Sequence, residues 1–442
     1  MRTEELILYR HFKHGEIIRN MTDLALDPKS ERDRGLYFEV LHGLIELAGS
    51  HGYEGNLWHT YLTYLLANNE NAYSVACEIR GKVEGSINRI ALHDFAIFKE
   101  LFDYDIVALD APFAENGMAL ISNYVNENTE NRLFNKRIRD RICTLSVQLK
   151  NTATVEEFSD CVTQFYKEYG VGKFGLHKAF RVEHLTREET KIVDGNNADP
   201  SEVYIRPITN IPHVYLDDLI GYESAKKQLI ENTEAFIAGR KANNCLLFGD
   251  AGTGKSSSIK GILNVYYDKG LRIIEMYKHQ FRDLNDVIAQ IKNRNYKFII
   301  YMDDLSFEDF EIEYKYLKAV IEGGLERKPD NVLIYATSNR RHLIREKFSD
   351  KADRDDELHT NDTVQEKLSL ASRFGVTIFF RSPDKKEFEH IVTELAKRNG
   401  VSMPEEELLY KANQWELYHG GLSGRTAAQF IDYLCGVTQA AD

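Results

Sequence analysis

An eight-residue stretch, Gly249–Ser256, has the residue types and spacing of a phosphate-binding loop. It reads Gly-Asp-Ala-Gly-Thr-Gly-Lys-Ser, which fits the pattern Gly-x-x-x-x-Gly-Lys-Ser/Thr. Glycines lack a Cβ, so backbone N–H groups can turn inward toward phosphate oxygens. Lys255 adds a point charge for the β- and γ-phosphates, and the Ser256 hydroxyl is the expected ligand of a phosphate-bound Mg²⁺. The stretch therefore predicts a nucleotide site.

The surroundings of this loop fit the same chemistry. An apolar run, Cys245–Phe248, precedes it and predicts a buried strand, and a helical stretch follows from Ser256 to about Tyr267. A bound phosphate would then lie at a helix N-terminus, where backbone N–H groups favour an anion. A chance glycine-rich turn is the alternative, and the order of strand, loop and helix favours nucleotide binding. The candidate nucleotide-binding residues here are Gly249, Asp250, Ala251, Gly252, Thr253, Gly254, Lys255, Ser256 and Ser257.

Two aspartates at the end of another apolar run predict the metal-binding part of the site. Phe298–Met302 indicates a strand, and Asp303 and Asp304 follow it directly. Carboxylates at the carboxyl end of a parallel strand face the crevice in which ligands bind. Asp303 is therefore the expected Mg²⁺ residue, and Asp304 is the residue expected to polarise the attacking water. A strand that runs into an acidic turn is the alternative.

Three further polar residues are candidates for contacts with phosphate. Asn339 follows an apolar run, although Ser-Asn pairs also form turns. Arg373 ends a helical stretch just before a predicted strand. That position is typical either of an arginine that reaches another subunit's site or of a surface arginine favoured by the helix dipole. Arg425 lies in the first turn of the last predicted helix, where a cation opposes the dipole and needs a compensating partner such as a phosphate.

Composition and charge narrow the class of protein. The 442 residues are 43% hydrophobic and 28% charged, as in globular proteins of two or three domains. A formal net charge of −13 argues against a protein that coats nucleic acid, although a local basic patch stays open. No run is apolar enough to span a membrane, and Met1–His14 lacks the apolar core of a signal peptide. Five dispersed cysteines indicate reduced thiols, so we expect a cytoplasmic protein.

The periodicity of apolar residues divides the chain into predicted parts. Helical spacing dominates residues 1–195, and a polar, proline-bearing linker follows at 196–214. Residues 215–382 alternate helical stretches with short apolar runs, which predicts a parallel α/β sheet with helices on both faces. Residues 383–442 show helical spacing only and predict a small helical domain. The expected strands are Cys245–Phe248, Leu271–Met276, Phe298–Met302, Val332–Thr337 and Val376–Phe380.

Two other segments carry weaker patterns. Gly170–Gly175 matches Gly-x-Gly-x-x-Gly, but no strand leads into it, so we interpret it as a turn. Glu346–Lys367 is crowded with charged residues and predicts a solvated loop. An insertion that contacts a substrate or regulates the protein is the alternative for that segment.

Taken in order, these elements resemble the AAA+ ATPase superfamily. Leu216–Tyr222 is similar to the segment that borders the adenine, which makes Ile220 and Gly221 candidate nucleotide contacts. The match runs from about Tyr215 to the C-terminus, and the whole sequence also looks like a bacterial family of AAA+-type ATP-binding proteins of unknown function. The corresponding elements are Gly249–Ser256 (Walker A), Asp303 and Asp304 (Walker B), Asn339 (sensor 1), Ser372–Phe374 (arginine-finger box) and Arg425 (sensor 2).

The resemblance implies a fold and an activity. The fold would be an α/β P-loop NTPase sheet of the AAA+ type with a helical C-terminal lid and a mainly helical N-terminal domain. The activity would be that of an ATPase that uses ATP and Mg²⁺ to remodel or load an unknown protein client, recognised by the N-terminal domain. It also implies self-association as a ring or dimer with Arg373 acting in trans. The implied catalytic residues are Lys255, Asp304, Asn339 and Arg373, and the implied metal residues are Ser256 and Asp303.

One departure from the family pattern keeps alternatives open. Most remodelling members carry Asp-Glu in Walker B, whereas Asp304 is one methylene shorter and has less reach to the water. A nucleotide-gated binding switch with slow hydrolysis is therefore one alternative. A helicase-loader-like ATPase associated with nucleic acid is another, which the net charge disfavours. Tyr277–Phe281 lies where ring-forming members place a pore loop, and an ordinary strand-to-helix connection is its alternative.

Overall fold

A computed structural model of the chain describes residues 2–26, 31–126, 134–184, 203–209, 211–212, 214–307, 313–322, 329–340, 343 and 370–438. The chain divides into two units. Unit 1 comprises Met1–Lys178 and Glu183–Asn210, and unit 2 comprises Ala179–Val182 and Ile211–Asp442. The predicted linker at 196–214 lies partly outside the described residues, and Glu346–Lys367 lies wholly outside them. No described helix is long and apolar enough to cross a membrane.

Unit 1 is built mainly from helices around an aromatic core. Capping boxes begin two of the helices, where the side chains of Asn71 and Thr154 accept hydrogen bonds from backbone N–H groups three residues later. The largest fully buried side chains include Trp58, Tyr61, Phe95, Phe98, Phe102 and Phe158. The helices are α1 (Gly15–Leu26), α2 (Glu31–His51), α3 (Leu57–Asn68), α4 (Ala72–Arg80), α5 (Ser86–Asp103), α6 (Gly117–Ser122), α7 (Lys136–Lys150), α8 (Val155–Tyr169) and α9 (Gly172–Leu176).

A buried carboxylate fastens the N-terminal segment to α5. Asp94 is fully buried, and its oxygens accept hydrogen bonds of 2.7–3.1 Å from the backbone N–H groups of Ile7, Leu8 and Tyr9. Such bonds replace the water that a carboxylate loses on burial, and they satisfy backbone donors that lie outside any helix or strand. Asp94 therefore holds the position of a segment that has little secondary structure of its own.

We expect Asp94→Ala to lower the free energy of unfolding of unit 1 by about 2–4 kcal/mol, because it removes the acceptor of three partly or fully buried backbone donors. Urea-dependent hydrogen exchange, resolved to peptides of unit 1, measures the change. Asp103→Ala is the control, since Asp103 lies on the same helix but is half exposed and pairs with Lys99 at the surface. Equal losses in the two variants would contradict the role given to Asp94.

The strands that position the candidate site, from β3 (Cys245–Gly249) to β7 (Val376–Phe380), lie in unit 2. The hydrogen-bonded order of the strands is β2-β1-β4-β5-β6-β3-β7, and every pair from β1 to β7 along that order is parallel. Five strands coincide with the predicted apolar runs to within one residue at each end, so the predicted parallel α/β sheet is confirmed. The strands are β1 (Ala179–His184), β2 (Val203–Pro207), β3 (Cys245–Gly249), β4 (Leu271–Glu275), β5 (Lys297–Met302), β6 (Val332–Ser338) and β7 (Val376–Phe380).

Helices flank the strands and complete unit 2. Those within the sheet region are α10 (Glu223–Ile237), α11 (Lys255–Tyr266), α12 (Leu284–Ile291) and α13 (Glu313–Glu322). The three that follow the sheet are α14 (Lys385–Arg398), α15 (Glu405–Tyr418) and α16 (Gly424–Thr438), which we call the lid. The lid has its own apolar core, formed by Phe388, Ile391, Val392, Ala396, Leu408, Ala412, Ala427, Phe430 and Ile431.

Candidate nucleotide-binding site

The register of the sheet brings three polar strand ends to one edge. Phe248 of β3 is level with Ser338 of β6, and Met302 of β5 is level with Ala336 of β6. The phosphate-binding loop, the two Walker B acids and Asn339 follow these strands directly, so they all emerge at the carboxyl edge of the sheet. This is the edge at which ligands bind in open parallel sheets.

The backbone of the loop requires glycine at particular positions. Gly249, Gly252 and Gly254 have φ angles of 138°, 75° and 90°, which L side chains rarely adopt. A Cβ on Gly249 would lie 1.9 Å from the Phe380 carbonyl oxygen, and one on Gly254 would lie 2.5 Å from the Leu219 side chain. The loop can therefore approach its neighbours closely and turn its N–H groups toward an anion.

Lys255 is buried against the backbone of its own loop. Its Nζ donates to the carbonyl oxygens of Gly249 and Asp250 at 2.8 and 2.6 Å. Burial lowers the pKa of the ammonium, while the nearby carboxylates of Asp250 and Asp304 oppose that effect. The side chain is thus aimed at the loop, where phosphate oxygens would compete with these carbonyls for the ammonium.

The predicted metal residues are in direct contact. The Ser256 hydroxyl donates to Oδ1 of Asp303 at 2.7 Å. Burial raises the pKa of Asp303, but hydrogen bonds led by that from Thr337 outweigh it, and the net pKa is lowered. Among the described residues, no group of three or more His, Cys, Asp or Glu side chains could hold a metal alone. One hydroxyl and one carboxylate fit Mg²⁺, which takes few protein ligands and keeps phosphate and water oxygens.

The second Walker B acid is held in a fixed conformation. Asp304 has a φ of 48°, an uncommon value for a residue with a side chain. Asn339 donates through Nδ2 to Oδ1 of Asp304 at 2.8 Å, so the predicted sensor 1 residue and the predicted water-polarising residue lie side by side. The arrangement places a carboxylate and an amide next to the predicted metal-binding residues, Ser256 and Asp303, where an attacking water would be oriented.

Thr337 joins the two aspartates and was not among the predicted site residues. Its buried hydroxyl donates to Oδ1 of Asp303 at 2.6 Å and accepts from the Asp304 backbone N–H at 2.9 Å. The register of the sheet brings it there, because Met302 pairs with Ala336 and the next residues along the chain are Asp303 and Thr337. A side chain at this position could be identified only once the register was known.

The lid meets the phosphate-binding loop through its last helix. The backbone N–H of Arg425 donates to the Gly252 carbonyl oxygen at 3.1 Å, and the charge of its guanidinium also lowers the pKa of Lys255. Ile220 packs against the apolar core of the lid, and Gly221 beside it has a φ of 84°. The predicted adenine-bordering segment, the loop and sensor 2 therefore lie together in unit 2.

Arg373 is the predicted catalytic residue that the fold does not bring to this edge. It precedes β7 by three residues, and the first residue of β7, Val376, pairs with the first residue of β3, Cys245. These first residues lie at the amino edge of the sheet. The length of β3, about 13 Å at 3.3 Å per residue, separates the amino edge from the phosphate-binding loop. Arg373 thus lies at the amino edge of the sheet, opposite the phosphate-binding loop of its own chain.

The other singled-out segments have ordinary conformations where they are described. Gly170 ends α8, and a short helix, α9, occupies the rest of the Gly-x-Gly-x-x-Gly match, so a helix and not a strand leads into it. Tyr277 precedes a 3₁₀ helix, Lys278–Asp283, and its ring stacks on His279 with centroids 6.1 Å apart. The interpretation of Tyr277–Phe281 as a pore loop stays a prediction.

Comparison with known proteins adds a family and a set of distant folds. A family described as "Protein of unknown function (DUF815)" matches residues 193–438. No curated protein matches the sequence. The Thermotoga maritima RuvB Holliday junction branch migration motor is 16% identical, with a TM-score of 0.37, and the match covers 51% of this chain and 66% of that chain. An arginine-to-alanine variant of RuvB gives 17% identity, a TM-score of 0.36 and the same coverage. A proline-to-glycine variant of RuvB is 16% identical with a TM-score of 0.37, and the match covers 52% of this chain and 68% of that chain.

Proposed function

The chain belongs to the DUF815 family of proteins of unknown function, and from the geometry of its site we propose that it is an AAA+-type ATPase that binds ATP with Mg²⁺ and hydrolyses it. The observation that carries the proposal is the 2.7 Å hydrogen bond between the Ser256 hydroxyl and the Asp303 carboxylate. These residues lie 47 positions apart and are the two that a phosphate-binding loop and a Walker B strand contribute to a Mg²⁺-nucleotide complex. An acidic turn next to an unrelated glycine-rich turn would give no reason for this contact.

Each residue of the site has a task in such a reaction. Lys255 and the loop N–H groups bind the phosphates, and Ser256 and Asp303 hold the metal. Asp304, fixed by Asn339, orients the water for in-line attack on the γ-phosphate. Mg²⁺ would neutralise the negative charge that develops on the phosphate oxygens. The lid contributes Arg425, whose side chain lies near Lys255 and would contact the phosphates in cis.

The proposal also includes self-association and a protein client on which the energy of hydrolysis is used. Self-association, as a ring or dimer, would supply Arg373 to the site of a neighbouring copy, since that residue lies at the opposite edge of its own sheet. Unit 1 would recognise a protein client, and cycles of nucleotide binding and release would remodel or load it. Two exposed aromatic residues at the carboxyl edge, Tyr277 and His279, are candidates for contact with such a client.

A slow, switch-like ATPase is the second candidate function. Asp304 has one methylene less than a glutamate, and its Oδ1 is engaged by Asn339. Both features reduce its reach toward a water on the γ-phosphate. Turnover separates the two functions, because a switch would leave most ATP intact after hours with excess Mg²⁺, while a motor would consume it.

Two substitutions in Walker B would test the proposed function. Asp303→Ala should remove the Mg²⁺ dependence of ATP binding and stop turnover, because the metal loses its carboxylate. Asp304→Asn should bind Mg-ATP like the parent but slow hydrolysis, because only the orientation of water is affected. Calorimetry with and without Mg²⁺ and a phosphate-release assay measure these effects. Parent-like turnover in Asp304→Asn would show that Asp304 does not orient the water.

Thr337 offers a separate prediction for the same site. Thr337→Val keeps the shape of the side chain but removes the hydroxyl that joins Asp303 and Asp304. We expect the Mg²⁺ concentration for half-maximal turnover to rise about 10–100-fold, the usual cost of losing a residue that orients a metal ligand. Thr337→Ser retains the hydroxyl and should restore the parent Mg²⁺ dependence. A parent-like Mg²⁺ dependence in Thr337→Val would remove this role.

A further inference from the structure

One side chain of the phosphate-binding loop is hydrogen-bonded to the segment that leads into the lid. The Asp250 carboxylate accepts two hydrogen bonds from Ser382, one from its backbone N–H at 3.1 Å and one from its hydroxyl at 2.8 Å. These residues lie 132 positions apart in the sequence. The same Oδ2 atom accepts both bonds, so the carboxylate is oriented by Ser382 alone among the described contacts of its side chain.

A carboxylate in this loop needs a compensating role. A negative charge next to a site built for phosphate repels the ligand, although solvent weakens the repulsion because Asp250 is exposed. The sequence positions between Gly249 and Gly252 could hold small neutral residues, as Ala251 does. The two bonds to Ser382 give Asp250 a function that a neutral apolar residue could not perform.

Ser382 lies at the entry of the lid. It follows β7 by two residues, and Asp384, two residues further on, is the N-cap of α14. The other end of the lid also contacts the loop, since a Cβ on Gly252 would lie 2.9 Å from the Ser423 hydroxyl, just before α16. The loop is therefore in contact both with the segment that leads into the first helix of the lid and with the start of the last helix.

Asp250 also contacts the lysine that binds phosphate. Its carbonyl oxygen accepts from Nζ of Lys255 at 2.6 Å and from the Thr253 hydroxyl at 2.8 Å. A phosphate that draws the ammonium toward itself competes for one of these bonds. The Asp250 carbonyl group would thus lose a hydrogen bond when phosphate binds, while the carboxylate of the same residue binds Ser382 at the entry of the lid.

We propose that Asp250 and Ser382 form a latch that couples occupancy of the phosphate-binding loop to the position of the lid. The proposal rests on the proposed nucleotide-binding function and assigns the Asp250 carboxylate a positioning role, because it acts through Ser382. Tyr222 lies at the same junction, where its ring packs against Phe380 with centroids 5.6 Å apart. Loss of the latch leaves Lys255 and Ser256 in place and keeps the Arg425–Gly252 hydrogen bond, but it removes the connection between the loop and the entry of the lid.

The test combines hydrogen exchange with nucleotide binding on the full chain. In the parent protein, Mg-ADP should slow exchange in the lid peptides, residues 385–438. In Asp250→Ala, measured at Mg-ADP concentrations that saturate the variant, this protection of the lid should be lost. Ser382→Ala should give a smaller loss, because the backbone N–H of Ser382 stays. Asp286→Ala, on the exposed surface of α12, is the control and should behave like the parent.

A second measurement needs no nucleotide. The Ser382 amide should exchange about tenfold faster in Asp250→Ala, since it loses a charged acceptor. Parent-like exchange of this amide, or parent-like protection of the lid by Mg-ADP, would overturn the latch. Failure of the parent protein to bind Mg-ADP would instead contradict the proposed function, and the exchange of the Ser382 amide would still decide the latch.

Discussion

Lys255→Ala is expected to weaken Mg-ATP binding about 100-fold or more, because it removes the charged donor for the β- and γ-phosphates. The parent ammonium is buried and aimed at the loop by the carbonyl oxygens of Gly249 and Asp250. Little side-chain freedom is therefore lost when phosphate binds, and the interaction keeps most of its strength. Isothermal titration calorimetry at a fixed Mg²⁺ concentration measures the difference.

Two controls keep this result specific. Lys260→Ala removes an exposed lysine from the same helix, α11, and should bind Mg-ATP like the parent. Thermal unfolding of Lys255→Ala without nucleotide shows whether the variant is folded, since two hydrogen bonds of the loop are also lost. Tight ATP binding by a folded Lys255→Ala protein would mean that the phosphate site lies elsewhere.

Strands β3 to β6 could be predicted because they are buried on both faces. Such strands consist of short, continuous apolar runs, and β3, β5 and β6 show this pattern clearly. The first two strands could not be predicted in this way. In β1, Arg181, Glu183 and His184 interrupt the apolar pattern, and β2 ends at Pro207. Their pairing is determined by distant strands and not by their own composition.

The residues of the site also fall into two groups. Some could be predicted from the local sequence, and others could be identified only from the register of the strands and from tertiary contacts. Asp303 and Asn339 could be predicted because each directly follows a strand end whose direction the α/β alternation implies, and Ser256 could be predicted from the motif of the phosphate-binding loop. Thr337 and Ser382 could not, because their importance comes from hydrogen bonds to residues 34 and 132 positions away. A hydroxyl in a strand or turn has no distinguishing pattern until its partner is known.

Arg373→Ala is expected to reduce turnover by about 10³–10⁵-fold while leaving Mg-ATP binding unchanged, the range associated with arginine residues that complete a phosphoryl-transfer site. The physical reason is its location at the amino edge of the sheet, with the length of β3 between it and its own loop. On the proposed function, a second copy would place this guanidinium near the γ-phosphate. Activity per subunit of the parent protein should therefore rise with protein concentration, and the variant should lose that dependence.

Arg240→Ala is a suitable control, since Arg240 is exposed and precedes β3 at the same edge of the sheet. The sharper test mixes Arg373→Ala with Lys255→Ala, each of which is inactive alone for a different reason. Arg373→Ala lacks the guanidinium that would act on the site of a neighbouring copy, and Lys255→Ala lacks the ammonium that binds phosphate in its own site. Mixed assemblies contain sites in which an intact Lys255 faces an intact Arg373, so activity should return on mixing. If the variants co-assemble and no activity returns, Arg373 does not act in trans.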